Sequence, residues 1–286
     1  MTVLPVRPLT DADIAAALPA RPRDAQKADF GRVLVVGGGT GMPGAARLAA
    51  EAALRVGAGL VTVASLPEHL AAVVGPRPEL MFQALPDATV LPALLPQFDV
   101  VVIGPGLGRS DWSRSVLDTV LSRRPAAQPL VVDADALNLL ASMHDPGRDA
   151  CWILTPHPGE AARLLGTTGS AVQSDRVAAV EQLVARLGGV VVLKGAGTLV
   201  AGEGEPTVRC DAGNPGMAVP GMGDVLAGAI AGILAQCRRP ILAARAAVQA
   251  HARAGDRLAA EGERGILAGE VATALRWAVN ARGPGR

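Results

Sequence analysis

One acidic residue, Asp224, stands in a glycine- and proline-rich stretch directly before a long apolar run. The stretch covers residues 213–236 and reads GNPGMAVPGMGDVLAGAIAGILAQ. A glycine-rich loop followed by an apolar helix predicts that the amides of residues 221–224 are the unpaired first donors of that helix. These donors and the positive end of the helix dipole favour an anion, and a phosphate group is the expected one.

Asp224 at this position can cap the helix or accept a proton from a hydroxyl group that lies beside a phosphoryl donor. A surface cap requires neither the neighbouring Gly221 and Gly223 nor an apolar helix behind it, whereas a buried phosphate site requires both. The sequence therefore favours the base. Because the helix N-terminus favours negative charge, the pKa of this carboxyl is expected to be lowered.

Further chemical groups follow short apolar runs that predict buried strands, and the carboxyl ends of parallel strands share one edge of a sheet. A lysine that ends a buried strand needs an anion, either a nucleotide phosphate or a structural carboxylate. Asp133 and Asp135 are two residues apart, and their carboxylates repel each other unless they share a cation, a donor or a proton. The alternative to such a functional pair is that Asp135 caps a helix. The residues concerned are Gly106, Gly108, Asp133, Asp135, Asn138, His157, Glu160 and Lys194 to Thr198.

The segment GGGTGMPG lies between the apolar run RVLVV and a helix predicted over residues 45–56. Gly39, Gly41 and Gly44 formally complete a dinucleotide fingerprint. The acidic residue that should follow the next strand is missing, because the run LVTVAS ends in Ser65. The sequence therefore favours a substrate loop or a structural turn.

The composition indicates one α/β domain that acts on a small molecule. The chain has 286 residues, is 50% hydrophobic and carries a formal net charge of +1. Three Phe, three Trp and no Tyr disfavour a nucleic-acid surface. Three separated cysteines predict neither a disulfide framework nor a zinc site, so a cytoplasmic location is expected. No signal-type segment or membrane-length apolar run is present in the sequence.

Residues 1–30 are expected to form an N-terminal arm with a helix over 11–18, and residues 31–286 a single catalytic domain. Helices are further predicted over 174–187, 241–260 and 268–281, and near Glu160. No repeat or low-complexity linker interrupts this order.

The blocks GPGLG, TPHPGE, KGAGT, NPGMA and GMGD, which all lie within residues 31–280, together resemble the ADP-dependent NAD(P)H-hydrate dehydratases of the ribokinase-like superfamily. This resemblance implies an α/β, ribokinase-like three-layer fold with a central mostly parallel sheet and helices on both faces. The epimerase domain that is often fused to this family is not expected here. The family typically has Gly-Gly-Thr/Ser-Gly-Asp after a Thr or Ser. In this chain Val219 replaces that preceding Thr or Ser, Pro220 replaces the first Gly, and Met222 replaces the second Thr or Ser.

The resemblance also implies a function, namely ADP-dependent dehydration of the S-epimer of NAD(P)H hydrate to NAD(P)H, which yields AMP and phosphate. Magnesium would bridge the donor phosphates, its protein ligands being unknown, and a homotetramer is implied. Asp224 would activate the hydrate hydroxyl. The implied substrate contacts are Ala45, Ala46, Gly106, Gly108 and His157. The implied nucleotide contacts are Lys194, Gly195, Ala196, Gly197, Thr198 and Gly223. The residues that would support these contacts are Asp133, Asn138 and Glu160.

Three alternatives remain open at the level of sequence. A kinase of a vitamin-precursor alcohol, such as a hydroxymethylpyrimidine, would use the same GxGD motif to phosphorylate its substrate, and the phosphate ester would be its final product. A nucleotide-binding module could retain the fold with catalysis weakened by Pro220 and Met222. The alanines at 45 and 46 could also serve only tight helix packing.

Overall fold

The structure, a computed structural model, describes residues 6–280, and its centre is one ten-stranded sheet. The strands lie in the order β1-β10-β9-β8-β7-β6-β5-β2-β3-β4. Strand β9 is antiparallel to both of its neighbours, and every other pair is parallel. The strands are β1 (Arg7–Pro8), β2 (Arg32–Val36), β3 (Leu60–Ser65), β4 (Met81–Ala84), β5 (Val100–Ile103), β6 (Leu130–Val132), β7 (Trp152–Leu154), β8 (Val190–Leu193), β9 (Thr198–Gly202) and β10 (Glu205–Cys210).

Helices cover both faces of this sheet, because its central strands are apolar on both sides. Along β2, Val33 and Val35 face one core cluster while Leu34 and Val36 face the other. The first face carries α1 (Asp11–Ala17), α2 (Pro43–Arg55), α3 (Leu70–Val74), α10 (Met222–Cys237), α11 (Pro240–Ala259) and α12 (Ala268–Ala278). The second carries α4 (Leu91–Leu94), α5 (Asp111–Arg123), α6 (Ala134–Ala141), α7 (Pro158–Leu165), α8 (Gly169–Ser174) and α9 (Arg176–Leu187). The predicted three-layer, mostly parallel architecture is confirmed.

The N-terminal segment is part of these layers. Strand β1 pairs in parallel with β10, and Ile14 and Ala17 of α1 are buried in the first cluster. Residues 1–5 of the predicted arm and residues 281–286 of the predicted domain lie outside the described residues.

Most helix boundaries differ from the predictions by one or two residues. The helix predicted over 174–187 begins at Arg176, because Asp175 accepts a hydrogen bond from the Ala178 amide and so caps α9. The helix predicted over 268–281 ends at Ala278, and its predicted last residue lies outside the described residues. Among the helices of residues 6–280, none has the length and apolar character required to cross a membrane.

Helix α10 is apolar on every side because it is buried between the sheet, α2 and α11. A Cβ atom at Gly228 would overlap the backbone carbonyl of Ala49, and one at Gly232 would lie 2.5 Å from the carbonyl oxygen of Ala53. The two helices therefore approach at a distance that only glycine permits on the α10 side. This packing fixes the N-terminus of α10.

The strand order reverses at β2, which pairs with β3 on one side and with β5 on the other. The chain proceeds from β2 outward to β4, and then from β5 outward in the opposite direction to β8. Open α/β sheets bind ligands outside the carboxyl ends of the strands near such a switch point. The loops after β2, β5, β6, β7 and β8 all leave the sheet at this edge.

Candidate active site

Two glycine-rich loops meet backbone to backbone at the switch point. The Gly38 amide donates to the Pro105 carbonyl oxygen at 2.9 Å, and the Gly39 amide donates to that of Gly106 at 2.6 Å. Because these amides are already paired, they cannot also hold a dinucleotide pyrophosphate. The formal fingerprint at Gly39 is therefore used as a structural turn, in agreement with the reading that the sequence favoured.

Three of the predicted substrate contacts come together beside these loops. Gly106 has φ of +56°, and a Cβ atom there would lie 2.9 Å from Cβ of Ala45. The Gly108 amide donates to Oδ2 of Asp135 at 2.9 Å. Ala46, another predicted contact, is fully buried in the core beneath the loop, so its methyl group faces protein atoms in this structure.

Asp133 and Asp135 point to different partners. Asp133 is 1% exposed, and its Oδ1 accepts hydrogen bonds from Oγ1 of Thr155 at 2.6 Å and from Nζ of Lys194 at 2.7 Å. Ala134 between them has φ of +47°, a conformation that is strained for a residue with a side chain. Neither carboxylate caps α6, so the capping alternative for Asp135 is wrong.

Asn138 supports this turn from α6. Its Nδ2 donates to the Ala134 carbonyl oxygen at 3.2 Å, and its Oδ1 accepts from Nη1 of Arg163 at 2.8 Å. Asn138 therefore lies behind the site and holds the backbone between the two aspartates.

Lys194, which follows β8, lies between two buried carboxylates. Its ammonium nitrogen is 2.7 Å from Oδ1 of Asp133 and 4.0 Å from Oε2 of Glu160. Burial disfavours the charged ammonium, but these two carboxylates outweigh burial and raise the pKa of Lys194. The structural-carboxylate alternative for Lys194 is thus realised, and its side chain remains 18% exposed toward the site.

His157 and Glu160 form a reciprocal cap at the start of α7. The Gly159 and Glu160 amides donate to Nδ1 of His157, and the His157 amide donates to Oε2 of Glu160 at 2.8 Å. Burial of part of the ring, together with the positive charges of Lys194 and Arg163, lowers the pKa of His157. A neutral ring that accepts at Nδ1 carries its proton on Nε2, and the side chain is 51% exposed. The imidazole thus faces outward as predicted, and its Nε2 lies 3.4 Å from Oε1 of Glu160. Burial raises the pKa of Glu160.

Asp224 lies in the first turn of α10, which begins after Gly221 with φ of +91°. Among the described residues, none of the amides of residues 222–224 forms a well-aligned hydrogen bond to a loop or side-chain acceptor. Burial and the nearby charge of Asp133 raise the pKa of Asp224 to about 7, against the opposing effect of Lys194. The expected lowering of this pKa is wrong, because burial and the second carboxylate outweigh the helix N-terminus.

Helix α11 fixes the loop that precedes α10. The two carboxylate oxygens of Asp256 each accept at 2.9 Å, one from the Gly213 amide and one from Nδ2 of Asn214.

Met222 is buried in the core, so the residue that replaces the family's hydroxyl at this position adds no side chain to the site.

The predicted nucleotide contacts lie in two adjoining segments. Gly195 and Gly197 both have positive φ in the turn after β8, and Oγ1 of Thr198 donates to the Gly195 carbonyl oxygen at 2.8 Å. A Cβ atom at Gly223 would lie 3.2 Å from Nζ of Lys194, so this glycine leaves the ammonium exposed to the site. The turn over 194–198 and the start of α10 therefore face a common space.

Two residues of this neighbourhood were not singled out from the sequence. Thr155 was visible as the first residue of TPHPGE, but its contact with Asp133 depends on the pairing of β6 with β7. Arg176 had no sequence signal, because it lies eighteen positions before Lys194 at the start of another helix.

A resident metal site is not formed by these side chains. Within residues 6–280, no group of three or more His, Cys, Asp or Glu side chains is arranged to hold an ion. Oδ2 of Asp133 has no hydrogen-bond partner, but Oδ1 of the same carboxylate is already bound to Lys194. The residues present therefore do not fit a protein-held magnesium ion.

A groove of about 1610 Å³ lies elsewhere, between the N-terminal segment, α2 and the end of α12. Its walls include Glu51 and Arg77, whose ion pair spans 2.5 Å, and none of its residues belongs to the site above. We assign the active site to the edge of the sheet where charged residues and glycines converge, because the size of a groove does not by itself indicate a reaction.

Comparison with known proteins identifies the family of this chain. The family model described as NAD(P)H-hydrate dehydratase matches residues 33–276. The chain is 54% identical over 264 residues to the bifunctional NAD(P)H-hydrate repair enzyme of Coxiella burnetii, covering 92% of this chain and 53% of that protein. It is 42% identical over 268 residues to the ADP-dependent (S)-NAD(P)H-hydrate dehydratase of Neisseria meningitidis, covering 91% of this chain and 89% of that protein.

Among solved structures, the ADP/ATP-dependent NAD(P)H-hydrate dehydratase of Bacillus subtilis, co-crystallised with ATP/Mg²⁺, matches with a TM-score of 0.87 and 30% identity, covering 96% of this chain and 98% of that one. The ribokinase-like fold is thereby confirmed. The chain spans about half the length of the bifunctional relatives, 53% for that of Coxiella burnetii. By family model, sequence identity and fold, this chain belongs to the NAD(P)H-hydrate dehydratase family.

Proposed function

We propose that this chain catalyses the ADP-dependent dehydration of the S-epimer of NAD(P)H hydrate, with NAD(P)H, AMP and phosphate as products. One observation carries the proposal, namely that Asp224, with a pKa raised to about 7, lies beside the unpaired amides that open α10. Such a carboxylate can take a proton at neutral pH while the amides bind a phosphoryl group. The N. meningitidis relative's name supports ADP as the phosphoryl donor.

The nucleotide is assigned to the side of Lys194, the turn over 195–198 and Gly223. This side combines an ammonium group with glycine amides, which are typical donors to phosphates. The hydrate is assigned to the side of Ala45, Gly106, Gly108 and His157, where a backbone surface and an exposed imidazole can meet a flat, polar ring. Asp224 lies between the two groups.

The chemistry follows from this division. Asp224 accepts the proton of the hydrate hydroxyl while the hydroxyl oxygen forms a bond to the β-phosphorus of ADP. The bond between that phosphorus and the bridging oxygen breaks at the same time, and AMP is released. Phosphate then leaves the ring with the C–O electron pair, and loss of a ring proton restores the double bond of the dihydropyridine. Lys194 and the amides of α10 stabilise the charge on the transferred group.

The metal, the location and the assembly are also part of the proposal. Magnesium is carried with the nucleotide phosphates, as the co-crystal of the B. subtilis relative with ATP/Mg²⁺ suggests. The enzyme is a cytoplasmic homotetramer without nucleic-acid or membrane partners.

The recovery of NADH absorbance from its hydrate tests this function directly. We expect recovery in the presence of ADP and magnesium, with one AMP and one phosphate formed per NADH. The same reaction is run with ATP, and with a panel of vitamin-precursor alcohols in place of the hydrate. Phosphorylation of an alcohol without hydrate turnover would indicate a kinase, and ADP binding with neither reaction would indicate a binding module.

The pH profile should report the ionisation of Asp224. Only the carboxylate accepts a proton, so kcat/KM for the hydrate is expected to rise between pH 6 and pH 8 with a midpoint at about 7 and then level off. Initial rates at each pH, corrected for the reaction without enzyme, measure this profile. The residual rate of Asp224→Asn should lack the same midpoint, and a wild-type profile that is flat from pH 5.5 to pH 8.5 would contradict the assigned role.

His157→Ala should raise the KM for the hydrate by about 3- to 10-fold, the effect expected for one lost hydrogen bond. It should also lower stability by about 1 kcal/mol, because Nδ1 caps α7. His157→Asn keeps a capping side chain and serves as the matched control, with the same KM defect and near wild-type stability. An unchanged hydrate KM in both variants would leave His157 as a helix cap only.

A further inference from the structure

We propose that Arg176 is the positioning residue that holds the turn over 194–197 in its nucleotide-binding conformation, acting from the face opposite the nucleotide. This inference rests on the proposed nucleotide site, and it assigns a role to a residue outside every motif described above. Arg176 is the first residue of α9, on the second face of the sheet.

The guanidinium group of Arg176 binds backbone carbonyls. Its Nη2 lies 3.1 Å from the Leu193 oxygen, 3.2 Å from the Lys194 oxygen and 3.5 Å from the Gly197 oxygen. Its Nη1 donates to Oε1 of Gln173 at 3.0 Å. A single guanidinium nitrogen, Nη2, therefore contacts the turn near both of its ends, while Nη1 is held in place by Gln173.

These contacts determine the direction of the turn's amides. In a planar trans peptide the N–H group points opposite to the C=O group. Carbonyls of Lys194 and Gly197 that face Arg176 therefore direct the amides of Gly195 and Thr198 to the other side. Among the described residues, the Gly195 amide forms no hydrogen bond, which leaves it available to a phosphate oxygen.

The glycine at 195 is required by the same arrangement. Gly195 has φ of +129°, and a Cβ atom there would lie 3.2 Å from Nη1 of Arg176. A side chain at this position would press on the guanidinium group in addition to straining the backbone. The glycine and the arginine therefore form one unit.

The charge of Arg176 has no acidic partner. Within residues 6–280 no carboxylate oxygen lies within 4.0 Å of its guanidinium group, and its partners are neutral oxygens. Burial lowers the pKa of Arg176, but the ordinary pKa of an arginine side chain is so high that the group remains charged. This uncompensated charge behind the turn adds to the attraction for an anionic ligand.

Calorimetric titration with ADP and magnesium tests the proposal on the full chain. Arg176→Met is expected to raise the Kd for ADP by about 10-fold or more. In steady-state assays the KM for ADP should rise in parallel, while the KM for the hydrate stays within two-fold of wild type. A general loss of structure would raise both constants.

Arg186→Met, on the exposed side of the same helix, removes the same charge without a contact to the turn and should bind ADP as the wild type does. Arg176→Lys keeps the charge, but its side chain is one bond shorter and lacks the second nitrogen that Gln173 holds in place, so it should also bind ADP more weakly than the wild type. It provides the test if Arg176→Met fails to fold. Wild-type affinity in Arg176→Lys, or equal losses in Arg176→Met and Arg186→Met, would overturn the proposal. Absence of ADP binding by the wild type would instead refute the nucleotide site on which it rests.

Discussion

Asp224→Asn should reduce hydrate turnover by about 10²–10⁴-fold while ADP binding and folding stay near wild type. Asparagine keeps the shape of the side chain but cannot accept the hydroxyl proton. Hydrate turnover, ADP titration and thermal unfolding on this one variant measure the three effects. Activity within a few-fold of wild type would remove Asp224 as the base, and with it the main support for an enzyme.

The stability of Asp224→Asn provides a second, independent readout. Because the folded-state pKa of Asp224 is raised from 3.8 to about 7, the folded state loses stability as pH rises from about 4 to about 7, and this loss is complete above that pH. The variant should therefore unfold at the same or a higher temperature than the wild type at pH 8. The difference in unfolding temperature between the variant and the wild type should decrease as pH falls through 7. It should disappear below about 4, where this carboxyl is protonated in both the folded and the unfolded state of the wild type.

Lys194→Met should show the largest loss of stability, about 3–5 kcal/mol in the free energy of unfolding. The substitution leaves Asp133, which is 1% exposed, without its cation, and Glu160 loses the same charge. Lys194 is the only lysine after Lys27 in a chain whose other basic residues are arginines, and its compact ammonium fits between the two carboxylates. Chemical denaturation measures the loss, with the exposed Lys27→Met as control.

A double variant separates the structural role of Lys194 from its proposed role in binding ADP. Asp133→Asn removes the buried charge that Lys194 neutralises, and the amide oxygen of the substituted side chain can still accept from Thr155. Lys194→Met combined with Asp133→Asn should therefore recover most of the lost stability but still show a raised KM for ADP. Wild-type KM for ADP in the double variant would show that Lys194 acts only as a counter-ion.

The sequence, read together with the family resemblance, was sufficient to predict the layers of the fold, and its apolar runs predicted the edge of the sheet at which the candidate site lies. Short apolar runs such as Val100–Ile103, each followed by glycines or polar residues, encode buried parallel strands and their loops. The same local pattern placed Asp224 at a helix N-terminus and Lys194 at a strand end. These features depend on neighbouring residues in the chain, so a linear reading reveals them.

Only the tertiary structure decided the electrostatics of the site. Asp133 and Asp224 are ninety-one positions apart in sequence, yet the charge of the first helps to raise the pKa of the second, so the helix terminus alone led to the opposite expectation. Arg176 reaches the turn after β8 only because α9 packs against that strand. Hydrogen bonds and pKa values depend on distance through space and on burial, and neither quantity is encoded in local periodicity.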